Sequence, residues 1–137
     1  MQFKSSHLVR LNVQKAQSVI SIDFRKHGDE LEKHFSYSAL CGDVVLACAG
    51  ILPLWPGRAQ VWAWLSGDIL PSQMSAIHKA AARGIKSYPV KRLEATCAVE
   101  FKAAHRWLQM LGFQCETPVM RGYHPDGSDE AMYVRIE

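Results

Sequence analysis

The apolar positions of this chain change period several times, and each change predicts an element. His7 to Leu11 alternate, which predicts a short first strand with Asn12 as a cap for the next element. Val13, Ala16, Val19 and Ile20 then recur at helical spacing. A second helical piece is predicted from Asp23 to about Phe35, with Glu30, Glu32, Lys33 and His34 on its polar surface and Gly28 in its middle. From Phe35 the pattern turns to strands. Phe35–Leu40 and Val44–Leu52 flank Cys41-Gly42-Asp43, a hairpin around a Gly-Asp turn whose second arm is nearly all apolar and belongs in the centre of a sheet. Two prolines and a glycine make Leu52-Pro53-Leu54-Trp55-Pro56-Gly57 a predicted loop. Gln60–Leu65 resumes as a strand with Val61, Ala63 and Leu65 on one face and Trp62 and Trp64 on the other, so both faces are apolar.

Ser66 to Ser72 form a loop into a helix that starts at Pro71 or Ser72 and stops at Pro89. Met74, Ile77, Ala81, Ile85 and Tyr88 share one stripe of it, and Lys79, Arg83 and Lys86 another. Leu93 to Val99, small and β-branched with little charge, predict a buried strand. From Phe101 the period is helical again. Phe101, Ala104, Leu108 and Leu111 share one face while Lys102, Arg106 and Gln109 point away, and Gly112 stands where a helix wants a left-handed residue. Strands from Phe113 to about Gly122 and from Ala131 to Ile136 flank the turn-rich His124-Pro125-Asp126-Gly127-Ser128. The order β-α-α-β-β-β-α-β-α-β-β predicts an α/β (α+β) fold, with residues 1–137 as a single domain.

Composition narrows the class without changing this picture. The 137 residues are 48% hydrophobic and 21% charged, the values of an ordinary globular chain, long enough to bury a core. The net charge of +3 is spread without runs, and no nucleic-acid motif accompanies it. Cys41, Cys48, Cys97 and Cys115 show no C-x-x-C pair and no zinc spacing with the histidines, which predicts reduced, buried cysteines and no metal. Lys4, His7 and Arg10 interrupt any apolar leader, and the run Val44 to Trp55 falls short of the roughly 18 residues a membrane span needs. The expectation is a cytoplasmic protein with no membrane partner.

The stretch His105-Arg106-Trp107-Leu108-Gln109-Met110-Leu111-Gly112-Phe113, an amphipathic helix ending in Gly-Phe between two strands, resembles the C-terminal half of the GNAT (GCN5-related N-acetyltransferase) fold. The element order is similar to that family over the whole chain. It implies a mixed central sheet of about six to seven strands with helices on both faces. Tyr123-His124-Pro125-Asp126-Gly127 and the short strand-loop-helix centre further resemble small GNAT-like bacteriophage proteins, the internal virion protein class included.

The resemblance implies acetyl-CoA as cofactor, held at a strand end and helix N-terminus, here Trp64, Leu65, Ser66, Gly67, Ser72 and Gln73. It also exposes departures. The family's Gly-rich pyrophosphate loop is absent: Ser66-Gly67-Asp68 has one glycine, Asp68 adds negative charge, and Pro71 removes a donor. Alignment on Gly112-Phe113 puts Leu108 at the family's catalytic tyrosine position and Phe101 at its asparagine position. Glu100, His105 and Tyr123 are the candidate catalytic substitutes, with His124 a further donor. Each has a plain structural alternative: Glu100 as a first-turn residue favoured by the helix dipole, His105 as a helix-surface residue, Tyr123 and His124 as turn chemistry. Trp62, Trp64 and Trp107 are core residues before they are an adenine platform, and Cys97 is a packing residue. Two functions are consistent with this pattern. One is an acyl-CoA-dependent N-acetyltransferase with a degenerate cofactor motif acting on an amine. The other is a non-catalytic GNAT-fold interaction or structural protein of a bacteriophage virion or of phage takeover of a host, which binds a host or virion protein in the host cytoplasm or the virion.

Overall fold

The N-terminal strand forms earlier than the alternation at His7–Leu11 predicts. In the computed structural model, which describes residues 1–10 and 28–137, Ser5–Arg10 is a helix, α1. The strand-like pairing belongs to Met1–Phe3. The Met1 ammonium donates to Ser38 O at 3.0 Å, Ser38 N–H donates to Met1 O at 2.8 Å, and Gln2 bridges Tyr37 in antiparallel sense. The reason is local: alternation over five residues hardly separates the two periods, and side chains close the helix start at Lys4 and Ser5. His7 Nδ1 accepts Lys4 N–H at 3.1 Å, which stands in for the side chain of a capping box, and Glu32 accepts Ser5 N–H at 3.2 Å. The predicted Asn12 cap and Val13–Ile20 helix lie outside the described residues. Of the second predicted helical piece, Gly28–Glu32 is the described helix, α2.

The described residues carry a six-stranded sheet in the order β1-β2-β3-β4-β6-β5. Its strands are β1 (Ser36–Cys41), β2 (Val44–Trp55), β3 (Arg58–Leu65), β4 (Arg92–Ala98), β5 (Gln114–Met120) and β6 (Glu130–Ile136). Helix α3 (Pro71–Ser87) connects β3 to β4, and α4 (Lys102–Met110) connects β4 to β5. The fold is therefore mixed α+β. The chain forms two compact units, Met1–Leu52 with Trp62–Tyr88, and Pro53–Val61 with Pro89–Glu137.

In the first unit, β1 and β2 close over Gly42-Asp43, with Cys41 opposite Val44 and Gly42 at φ 61°, the positive φ that the first position of a type II′ turn requires. Phe3, Leu31, Val45, Cys48, Trp62 and Trp64 make the buried cluster, Phe3 meeting Trp62 edge-on at 5.2 Å. Gly50 leaves room for it. A Cβ there would lie 2.6 Å from Phe35 O and 2.8 Å from Trp62 Cζ2.

The predicted loop at Leu52–Gly57 is mostly strand. β2 runs to Trp55, and only Pro56-Gly57 turn, with Gly57 at φ 90°. Pro53 is tolerated because Ile51 N–H donates to Phe35 O at 2.8 Å, and the nitrogen two residues on faces the same side, past the last β1 pair at Ser36–Gly50.

In the second unit β4 pairs antiparallel with β6 from Arg92–Ile136 to Ala98–Glu130, and β3 pairs parallel with β4 over Arg58–Gln60 against Arg92–Glu94. β5 forms the edge, irregular between Cys115 and Met120, a position that tolerates Pro118. Helix α4 ends in a Schellman motif: Gly112 N–H donates to Gln109 O, Phe113 N–H donates to Leu108 O, and Gly112 takes φ 92°. Phe113 and Leu108 are both buried, which completes the motif's apolar contact. The expectation of four buried cysteines holds for Cys48 and Cys97; Cys41 and Cys115 are exposed because they lie on edge strands. Among the described residues no helix is long and apolar enough to cross a membrane.

Candidate active site

The cofactor residues expected from the sequence all fall in the first unit. Trp64 is 1% exposed and packs on Trp62 at a centroid distance of 5.2 Å, so its ring is part of the core. Leu65 and Ser66 are buried, and Ser66 N–H donates to Leu46 O at 2.7 Å. Gly67 is exposed beyond them. The loop then uses its own donors internally. Asp68 N–H donates to Ser66 Oγ at 3.1 Å, and Leu70 N–H to Gln73 Oε1 at 2.8 Å. Pro71 has no N–H, and the first intrahelical bond runs from Met74 N–H to Leu70 O. The amides of Ser72 and Gln73 thus head α3 without a partner one turn back, beside the exposed Ser72 side chain. An anion fits that helix end, with fewer backbone donors than a glycine-rich loop supplies.

The catalytic candidates fall in the second unit. Glu100 is exposed in the turn between β4 and α4. Tyr123 is 46% exposed and meets the His124 ring edge-on at 5.0 Å. His105 is half-buried and doubly engaged: its Nε2 lies 2.9 Å from Val99 O and its Nδ1 2.7 Å from Tyr133 Oη. A carbonyl only accepts, so Nε2 carries the proton, and neutral Nδ1 accepts the Tyr133 hydroxyl. Burial, with help from Cys115 and Cys97, keeps the Tyr133 phenol protonated above its ordinary range. Among the described residues no hydrogen bond joins Glu100, His105 and Tyr123. Burial pushes the Cys97 thiol up to about 12, with Glu130 adding to it, so it is no thiolate nucleophile at neutral pH.

Two buried carboxylates, Glu94 and Glu130, belong to no motif in the sequence. Glu94 is 3% exposed and receives Arg58 Nε at 2.9 Å and Nη2 at 2.7 Å, and Arg92 Nε at 2.7 Å. Arg92 also forks onto Glu116 at 2.9 and 2.6 Å, and the Arg58 guanidinium lies 4.4 Å from the centre of the Trp55 ring. Burial alone would raise the Glu94 carboxyl, but the hydrogen bonds from Arg58 and Arg92 hold it below the usual range. Glu130 is fully buried, and His124 Nε2 lies 3.2 Å from its Oε2, off the line a hydrogen bond needs. Its burial pushes the carboxyl up, against the opposing pull of His124, Thr96 and His105. The signal for both was available. It lies in the setting and not in alternation: Glu94 sits among Leu93, Ala95 and Cys97 in a strand buried on both faces, and Glu130 opens a strand that is likewise buried on both faces.

No protein-family model matches the sequence, and no curated protein matches it. Solved structures do match. A candidate phosphinothricin N-acetyltransferase aligns with 99% of this chain and 96% of its own at 14% identity and a TM-score of 0.74. A GNAT-superfamily phosphinothricin acetyltransferase from Sinorhizobium meliloti, solved with acetyl-CoA, aligns over 99% and 86% at 11% identity and a TM-score of 0.71. A GNAT-family acetyltransferase from Bacillus anthracis aligns over 98% and 92% at 12% identity and a TM-score of 0.68. The chain has the GNAT acetyltransferase fold.

Proposed function

We propose that the chain is an acetyl-CoA-dependent N-acetyltransferase of the GNAT superfamily, acting on an amine through a cofactor loop that departs from the family's glycine-rich form. The observation that carries this reading is the likeness of nearly the whole chain to acetyltransferase structures, one of them solved with acetyl-CoA. The exposed start of α3 supports it: the Ser72 and Gln73 amides and the helix dipole would hold the pyrophosphate. Bound acetyl-CoA would supply the thioester whose carbonyl carbon the amine attacks. The chain's part is to orient the reactants and to hold protons, with Glu100, His105 and Tyr123 as the candidates for the second task.

A second reading is a non-catalytic interaction or structural protein in the same fold, of a bacteriophage virion or of phage takeover of a host. It is favoured by the internal use of the Asp68 and Leu70 amides and by buried Leu108 at the family's tyrosine position. Calorimetric and thermal-shift titrations with acetyl-CoA and with coenzyme A separate the two. The enzyme reading expects saturable binding and a melting temperature that climbs with ligand concentration. No binding at millimolar ligand would leave the interaction protein standing.

A further inference from the structure

At the end of the sheet where β3 and β4 begin lies an open cleft of about 610 Å³, lined by Trp55, Arg58, Lys91, Arg92, Glu94 and Ile136. All six residues belong to the second unit. Strand register explains the row. Arg58 stands opposite Arg92 in the β3–β4 pair and Arg92 opposite Ile136 in the β4–β6 pair, so these side chains share a face. Trp55 joins them from β2 across the two-residue Pro56-Gly57 turn.

The groups of this cleft are held in place, and two of its donors are unanswered. Buried Glu94 takes two bonds from Arg58 and one from Arg92. A buried ion pair adds little stability over apolar side chains of the same volume. What this carboxylate adds is position, since it fixes both guanidiniums on the cleft wall. Glu116 answers Arg92 from outside the lining. Among the described residues nothing bonds Arg58 Nη1 or Lys91 Nζ. Among the lining residues and the carboxylates bonded to them, Lys91 is thus the surplus positive charge.

The rest of the wall is apolar and wet. Trp55 and Ile136 are each 59% exposed, and the Arg58 guanidinium lies over the Trp55 ring. Apolar surface left in water beside fixed donors is the make-up of a small-molecule site, and the volume is of that order. We propose that the cleft binds an aromatic carboxylate, its ring continuing the Trp55–Arg58 stack and its carboxylate at Arg58 Nη1 and Lys91 Nζ. A planar ring matches both the indole and the guanidinium, and a single negative charge matches the single surplus cation. The cleft shares no residue with the start of α3 proposed for the pyrophosphate.

NMR titration of the full chain with cinnamate tests this, read at the Trp55 indole N–H, which Trp55→Phe assigns, and at the Gly57 and Arg92 amides. These signals should shift saturably at roughly millimolar cinnamate. Lys91→Ala removes an exposed side chain that the fold does not need, and it should weaken binding about tenfold. Cinnamyl alcohol, which keeps the ring without the charge, and acetate, which keeps the charge without the ring, should each bind about tenfold more weakly than cinnamate. No saturable shift up to about 10 mM cinnamate would overturn the proposal. Equal binding of either half-ligand, or an affinity that Lys91→Ala leaves unchanged, would overturn it as well.

Discussion

The two ends of the β4–β6 ladder each bury a glutamate on the same sheet face, and they treat it in opposite ways. Glu94, opposite Val134, has two guanidinium groups bonded to its oxygens. Glu130, opposite Ala98, has one imidazole off the hydrogen-bonding line. The first carboxyl is held below its usual range and the second is pushed above it. Burial is common to both, so the partner geometry decides. Forked donors that fill both oxygens offset desolvation, and a single misaligned ring does not.

The largest effect should come from breaking the saturated end. Arg58→Ala removes two of the three bonds to Glu94 and leaves Arg92 to hold a nearly buried charge. Urea unfolding at neutral pH should show a loss of about 2 kcal/mol. A loss within error would mean that Arg92 alone suffices.

The next contrast is in pH dependence, and its sign differs between the ends. The lowered Glu94 carboxyl contributes stability that is full above the ordinary carboxylate range and is lost as pH falls through its depressed value. The raised Glu130 carboxyl contributes stability that is full below the ordinary range and is lost as pH rises through its elevated value. Glu130→Gln should therefore exceed the wild type by about 1 kcal/mol at alkaline pH and lose that lead in acid. Glu94→Gln should be weakest against the wild type near neutrality and approach it only in acid. Unfolding curves that differ from wild type by a constant at every pH would remove both assignments.

The smallest effect belongs to the neutral pair on the opposite face, where the Tyr133 hydroxyl bonds His105. Tyr133→Phe should cost about 0.5 kcal/mol, since the half-buried imidazole can find water instead. A cost as large as that of Arg58→Ala would make the His105–Tyr133 contact a buried network in its own right.

Much of the fold was legible because its signals are local. The Gly42-Asp43 hairpin, the Pro71 start and Pro89 stop of α3, and the Gly112-Phe113 close of α4 each rest on backbone preferences that act within a few residues. The misreadings came where local signals were short or overruled. Five alternating residues at His7–Leu11 did not outweigh the helix start at Ser5, and Pro53 stayed within a strand because β1 ends beside it. The candidate site was less legible. His105 stands out by its position on a helix, yet its partner Tyr133 lies 28 residues away.

By itself the sequence determined where most helices and strands alternate and how they cap and turn, since periodicity and backbone restriction are properties of neighbouring residues. Only the tertiary structure decided which charges are buried and what answers them. Arg58 meets Glu94 across 36 residues, and strand register sets Glu130 opposite Ala98. Desolvation and donor alignment depend on atoms brought together from distant parts of the chain, and on those the fate of each carboxylate turns.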